Sequence, residues 1–389
     1  MRVFVIAGET SGDKLGAALM AGLKTLVPDV EFRGVAGPLM QAEGMGSLFE
    51  MSELSIMGIV EVLPKYFHLK RRIRETAEAA IAWNADVVIG IDSPDFCLRV
   101  AKIVKEQSNI PTVHYVAPSV WAWREGRAAK MAKVIDHVLA LLPFEPPLMQ
   151  AAGMTCDFVG HPVVAEPEAT AADIAEFRAE YGLSDQTPLV LALPGSRRGE
   201  VSRLGGVFGE TLAKVTAEIP NARVVLPVAP NVRGMIREIV DSWDISPPVI
   251  LLETDASDSA QAKKRAAFAA ADLALAASGT VSLELARART PMVIAYDMNW
   301  LSRMLIARML KIDTVTLVNL VSERRDIPEF LGKNCLSKNI APAMLDVWND
   351  PTKQIQAMEL TMARLGEAEE YPGLRAAKSV LAALKSPRA

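Results

Sequence analysis

At 389 residues, with 50% hydrophobic and only 6% aromatic side chains, the chain exceeds one ordinary core and predicts two domains of helices packed on buried parallel strands. Its 42 basic and 46 acidic residues leave a net charge of −4, which supplies no global field for a nucleic-acid partner. The three widely spaced cysteines, Cys97, Cys156 and Cys335, argue for a reducing compartment and against a structural metal, and no apolar run reaches the roughly 20 residues of a membrane span.

Val3–Ala7 reads as a buried strand that ends too soon to be a signal peptide. Gly8-Glu9-Thr10-Ser11-Gly12-Asp13 then reads as a Gly-rich loop leading into a helix over Lys14–Thr25. The loop lacks G-x-G-x-x-G and the Walker lysine, so it suits hydroxyls or helix amides better than phosphate. Between Leu48 and Arg74, apolar residues including Ile56, Met57, Ile59, Val60, Leu63 and Phe67 run into the cations Lys70, Arg71 and Arg72. This pattern fits a segment that dips into an anionic interface. It equally fits a hairpin and helix packed on the core with a solvated basic end.

A strand over Asp86–Ile91 ends in Asp92-Ser93-Pro94-Asp95, which sets two carboxylates just past its carboxyl end, where open parallel sheets place their chemistry. One of the pair can take a proton from a hydroxyl, and the other reading is a cap for the helix that follows. Further strands are expected at Thr112–Val116, Val138–Leu142 and Cys156–Val159. Trp121, Trp123 and Arg124 in the loop after Thr112–Val116 suit either a substrate cleft or packing, and His161 sits before Pro162 at the expected end of the first domain. His114, His137 and His161 have no ligand spacing, so no metal is expected.

Glu166–Asp185 reads as a connecting helix plus linker, after which strand–helix alternation restarts. The strand Leu189–Leu193 turns through Pro194-Gly195-Ser196-Arg197, whose guanidinium can grip a diphosphate bidentately. The strand Asp272–Ala276 turns through Ser278-Gly279-Thr280 into a helix over Val281–Ala288, which leaves free amides suited to phosphate. Glu284 lies on that helix within reach of ribose hydroxyls, and Asn319 is a polar residue placed for a cleft. Either turn alone also fits a simple turn and cap. Together they point to a nucleotide-diphosphate site in a two-lobed α/β protein, two Rossmann-like domains facing a cleft.

Gly8–Asp13, Gly90–Phe96, the Tyr-Val-Ala-Pro-Ser-Val-Trp-Ala-Trp-Arg run over Tyr115–Arg124, Phe158–Pro162, Leu193–Arg197, Ala277–Thr280 with Glu284, and Pro328–Leu331 occur in order along nearly the whole chain. In these motifs the sequence resembles the lipid-A-disaccharide synthase family. The resemblance implies a glycosyltransferase of GT-B type that joins UDP-2,3-diacylglucosamine to 2,3-diacylglucosamine 1-phosphate with inversion. It also implies no metal or other cofactor, peripheral association with the inner face of the inner membrane, a phospholipid surface as partner, and homodimers with exchanged carboxy-terminal segments.

On the same resemblance Asp95 matches the favoured general base and Asp92 a second aspartate. Arg197 matches the UDP-site arginine, and Ser278, Gly279, Thr280 and Glu284 match the sugar-nucleotide loop. Asn319 matches a polar neighbour of that loop, and Glu9 and Ser11 match the first-loop motif. Thr10 and Ser93 replace alanine, and Cys97 replaces an asparagine that would bear on how Asp95 is oriented. The expected organisation is an acceptor- and lipid-facing domain over 1–165, a linker over 166–187, a UDP-sugar domain over 188–350, and helices over 351–389 that pack back or exchange between subunits. Two rivals stand beside it. One is another UDP-sugar enzyme such as a UDP-GlcNAc 2-epimerase, and the other is a binding adaptor with a degenerate site.

Overall fold

The computed structural model describes residues 1–54, 59–121, 126–255, 257–298 and 312–385, and for 59–66 the backbone alone. The chain divides into two compact units, Met1–Ala165 with Leu365–Ala389, and Glu166–Arg364.

In the first unit the strands β1 (Arg2–Ala7), β2 (Glu31–Val35), β3 (Val87–Ile91), β4 (Thr112–Tyr115), β5 (His137–Ala140) and β6 (Thr155–Phe158) form one parallel sheet in the order β2-β1-β3-β4-β5-β6. Helices cover both faces, so the strands are apolar without a break. Val3, Val5 and Ala7 enter one core while Phe4 and Ile6 enter the other, as the two-residue period requires. The helices are α1 (Thr10–Leu26), α2 (Pro38–Ala42), α3 (Ile59–Ala82), α4 (Pro94–Gln107), α5 (Gly126–Met131) and α6 (Pro146–Ala151).

The helix Pro372–Lys385 closes this unit from the far end of the sequence. Its Ala376, Ala377 and Val380 complete the core under α1. The two backbones approach so closely that a Cβ on Gly22 would lie 2.6 Å from the Gly373 carbonyl oxygen, and one on Gly373 would lie 2.4 Å from that of Ala18. Ser379 of this helix also donates to Asp157 at 2.7 Å and meets His137 Nε2 at 2.8 Å.

The second unit begins before its sheet. The segment 166–187, expected as a connecting helix and linker, carries α7 (Ala171–Glu180), capped by a reciprocal Thr170–Asp173 pair. The buried Arg178 of α7 donates to the carbonyls of Ser184, Thr187 and Ala270, which fixes the helix inside this unit. The sheet holds β7 (Leu189–Leu193), β8 (Arg223–Val228), β9 (Ile250–Glu253), β10 (Leu273–Ala276), β11 (Met292–Tyr296) and β12 (Glu329–Leu331), all parallel, in the order β12-β11-β10-β7-β8-β9. Its helices include α8 (Arg198–Glu218), α9 (Arg233–Val240), α10 (Asp258–Ala270) and α11 (Val281–Arg287). The helix expected over Asn299–Leu310 lies outside the described residues.

Candidate active site

Each sheet reverses its winding once, and at that point the loops of two neighbouring strands open side by side, the usual ligand crevice of an open parallel sheet. In the first unit the chain leaves β1 for β2, then returns to place β3 on the other side of β1. The loops after β1 and β3 touch there. A Cβ on Gly8 would lie 2.4 Å from Ser93 Oγ, so only glycine admits Ser93. Asp92 and Ser93 are consecutive left-handed residues, with φ of 49° and 40°, an arrangement of non-glycine residues that costs energy and clusters at functional sites. This turn directs the chain from β3 into Pro94 at the start of α4, leaving Asp92 half-buried and Asp95 exposed.

Neither aspartate caps α4, because the N-cap is Ser93 and it makes no side-chain cap bond. Among the described residues neither carboxylate has a hydrogen-bond or salt-bridge partner, which leaves both open to solvent or a ligand at a strained turn. Cys97 lies beneath, buried against the Ile6 carbonyl. Burial, reinforced by the Asp92 charge, pushes its thiol up to about 12. Residue 97 therefore faces the core, where a Cβ on Gly90 would lie 2.7 Å from its own Cβ.

Gly8–Asp13 is less of a loop than its glycines suggest, since α1 already starts at Thr10. Glu9 is its half-buried N-cap residue and Ser11 is exposed on the first turn. Asp13 is buried and engaged within the protein: its carboxylate accepts the Gly37, Leu39 and Met40 amides at 2.9–3.0 Å and caps the short helix α2.

The other first-unit candidates are more engaged. Trp121 donates to Glu145 at 3.2 Å and stacks edge-on with Phe144, so its ring is largely a packing element. Trp123 and Arg124 lie outside the described residues. Glu145, which also accepts the Leu141 and Leu142 amides, is pushed up to about 7 by burial against the pull of those donors. His161 Nδ1 accepts the Val163 amide at 3.1 Å, which fixes the tautomer with its proton on Nε2, and burial lowers its pKa to about 4.

In the apolar–basic stretch, Ile56 and Met57 lie outside the described residues, as do the side chains of Ile59, Val60 and Leu63. Phe67 is 82% exposed, and Lys70 and Arg71 are exposed beside it. Arg72 departs from the expected free cation. It grips Glu53 with two bonds of 2.8 Å and stacks on Phe49, tying the 3-10 turn Met51–Glu53 to α3. Arg71 pairs with Glu75 at 3.5 Å.

In the second unit the reversal falls between β7 and β10. Ala276 pairs with Leu193, and the Ala277 amide donates to the Leu193 carbonyl at 2.8 Å. Pro194–Arg197 and Ser278–Thr280 therefore leave neighbouring strands together, the two turns read from sequence. Gly195 and Gly279 have φ of 114° and 154°. Gly195 is doubly required, because a Cβ there would also lie 2.5 Å from Glu200 Oε2. The Gly279 and Thr280 amides have no acceptor among the described residues, as expected for the start of α11.

Arg197, 66% exposed at the side chain, lies 3.4 Å from Glu200, and Asn231 donates to the Ser196 carbonyl at 2.8 Å. Tyr296 ends β11 on the same edge of the sheet. Burial and then the Glu200 charge raise its pKa, while Arg197 and Arg203 oppose the rise. Asn231 follows β8 and Tyr296 closes β11 at the strands' carboxyl ends, so the rule that found Asp92 could have found both. Glu284 forms a short ion pair with Lys264 of α10.

Asn319 is buried, and both ends of its amide are used. Nδ2 donates to Thr314 and the Ile327 carbonyl, and Oδ1 accepts the Ile327 amide. Glu329 of the Pro-Glu-Phe-Leu motif accepts the Val315 and Thr316 amides at 3.1 and 2.6 Å. The two residues build a loop. The cavity of about 310 Å³ beside them is lined by groups that already bond one another, such as Asp313 with Arg325.

Against known proteins, the lipid-A-disaccharide synthetase family matches residues 3–382 of this chain. The chain is 64% identical over 381 residues to the lipid-A-disaccharide synthase of Ruegeria pomeroyi, covering 98% of this chain and 95% of that one. The chain belongs to the lipid-A-disaccharide synthase family. The family's enzyme from Rhodospirillum centenum is 44% identical over 384 residues, with 97% and 94% covered.

Among solved structures, a UDP-GlcNAc 2-epimerase from Neisseria meningitidis bound to UDP-GlcNAc aligns with a TM-score of 0.66 at 14% identity, covering 99% of this chain and 100% of that one. Anabaena HepE in complex with UDP and glucose aligns with a TM-score of 0.61 at 14% identity, with 99% of each covered. At such identity these two establish the shared GT-B type fold and nothing finer. Neither rival reading is favoured for this synthase-family chain. No group of three or more His, Cys, Asp or Glu residues arranged for a metal occurs among the described residues.

Proposed function

We propose that the chain transfers 2,3-diacylglucosamine from UDP-2,3-diacylglucosamine to the 6-hydroxyl of 2,3-diacylglucosamine 1-phosphate, with inversion, releasing UDP. The observation that carries this reading is the second reversal point, where unpaired amides and an exposed guanidinium converge from neighbouring strands. As the glycosidic bond breaks, the diphosphate gathers negative charge. Arg197 and the amides of Ser278–Thr280 stabilise that charge before and during bond cleavage, with no reorganisation at the moment of reaction. Glu284 takes the ribose hydroxyls, one turn along the helix that receives the phosphates. Asn319 serves as scaffold for the neighbouring loop, which its saturated amide supports.

Asp95 removes the proton from the attacking hydroxyl as it adds to the face opposite the leaving group. Its exposed, unpaired carboxylate on the first turn of α4 supports this role over Asp92, which is half-buried above Cys97. Glu9 and Ser11, at the adjoining start of α1, are assigned to acceptor hydroxyls. His161, held as a neutral Nε2–H donor, is assigned to an acceptor oxygen. Phe67 with Lys70 and Arg71 is assigned to the acyl-chain and anionic-headgroup side, at the inner face of the inner membrane. No helix among the described residues is long and apolar enough to cross a membrane. A homodimer is the assembly the family resemblance carries, and light scattering tests it against the 42.0 kDa chain mass.

The direct test supplies both acylated sugars in mixed micelles and follows UDP release together with the anomeric coupling of the product by NMR. A β-1′,6-linked disaccharide formed only when both lipids are present supports the proposal. Turnover of plain UDP-GlcNAc without the lipid acceptor would replace it with an epimerase or hydrolase reading.

A further inference from the structure

Glu284 is ill suited by itself to hold a ribose. It sits on α11, a helix of only seven residues. Its side chain is 40% exposed, which leaves its rotamers little restrained, and its charge lies within one turn of the amides assigned to the diphosphate. An unbalanced carboxylate there repels the phosphates it should accompany.

Lys264 meets both difficulties. Its ammonium reaches from α10 to Glu284 Oε2, while its own side chain is only 23% exposed and lies over the Phe268 ring, 5.2 Å from the ring centre. Phe268 is four residues on, hence on the same face of α10. One carboxylate oxygen is thereby held by a cation that is itself braced, and the other is left for a hydroxyl donor.

We propose that Lys264 is a positioning residue that fixes the Glu284 carboxylate for the ribose diol and cancels its charge beside the diphosphate, so that the pair selects ribonucleotides over 2′-deoxyribonucleotides. This rests on the assignment of Glu284 to the ribose. A lysine that served only to staple α10 to α11 would alter stability and leave the choice of sugar unchanged.

Calorimetric titration of UDP and 2′-deoxy-UDP into the full chain separates these cases, using wild type, Lys264→Met, Lys264→Gln, Lys264→Arg and Glu284→Gln, each with a thermal melt. Wild type is expected to prefer UDP by about tenfold, the size of one hydrogen bond to a charged group. Lys264→Met and Lys264→Gln should weaken UDP binding by about tenfold, on the same scale, and bring the two ligands within about twofold of each other, while Lys264→Arg restores the preference. A folded Lys264→Met or Lys264→Gln protein that keeps the full preference, while Glu284→Gln loses it, overturns the role of Lys264. A Glu284→Gln protein that keeps the preference overturns the ribose assignment instead.

Discussion

The two units present the same topological feature with opposite chemistry. At the reversal between β1 and β3 the strand ends and helix starts carry Glu9, Asp92 and Asp95, and the last two have no side-chain partner among the described residues. At the reversal between β7 and β10 they carry Arg197 and the amides ahead of α11, with the nearby acids Glu200 and Glu284 each matched to a cation. A parallel sheet that reverses its winding provides a crevice in either case. The sign of the groups lining it differs between the two, which suits the first to proton transfer and the second to an anionic phosphate. The comparison also shows where acid is tolerated: Glu284 stands beside the phosphate loop only in company with Lys264.

The largest expected effect breaks the acidic side. Asp95→Asn preserves the shape of the turn and removes the base, and should lower kcat by about 10³-fold, with Asp92→Asn falling far less. Equal losses in the two would spread the proton transfer over the pair. Next is the cationic side, where Arg197→Ala should cost about 3 kcal/mol of transition-state stabilisation, read in kcat/KM for the donor.

The scaffold of the acidic side gives a third test. Gly22→Val forces a side chain into the Gly373 backbone and should cost about 3 kcal/mol of stability, seen as a lower melting temperature. It also asks whether the first reversal point depends on a helix from the far end of the chain.

Glu145 sharpens the contrast through pH. Its folded pKa, about 7, lies above its ordinary value of 4.5, so the stabilisation it contributes is complete below about 4.5 and is lost as pH rises through about 7. Glu145→Gln should flatten the fall in melting temperature across that window, and an unchanged slope would assign the fall to other groups. The smallest effect is expected from Phe67→Ser, which should reduce co-sedimentation with anionic vesicles severalfold and leave UDP affinity unchanged.

Much of this contrast was legible in the sequence because it is local. Short apolar runs broken by Gly-Ser or Asp-Ser-Pro marked the strand ends, and the residues just past those ends are the ones the sheets bring together. The start of α10 at Asp258 is likewise marked locally, by a Ser257 side chain that accepts the Ala260 amide. Reading Gly8–Asp13 as a loop failed because Thr10 and Ser11 start a helix whose N-cap, Glu9, makes no side-chain cap bond.

What stayed hidden depends on tertiary contact. The Gly8–Asp13 segment does serve helix amides, through Asp13, but the helix that Asp13 caps lies across a strand. Arg72 looked like a membrane-facing cation because Glu53, which holds it, lies nineteen residues earlier. Asn319 looked like a ligand contact because nothing local announces that Thr314 and Ile327 consume its amide. Lys264 and Glu284 are separated by a strand, and no spacing rule pairs them.

The central claim is that the two reversal points divide the reaction, with acceptor chemistry on the first and the nucleotide on the second. Equilibrium titration of UDP into Asp95→Asn, set beside its single-turnover rate with both acylated sugars, tests that division most directly. The account predicts UDP affinity within about twofold of wild type, since a base contributes to transfer and not to nucleotide binding, together with a collapsed rate. A loss of UDP affinity comparable to the loss of rate would contradict it and place Asp95 in the nucleotide site.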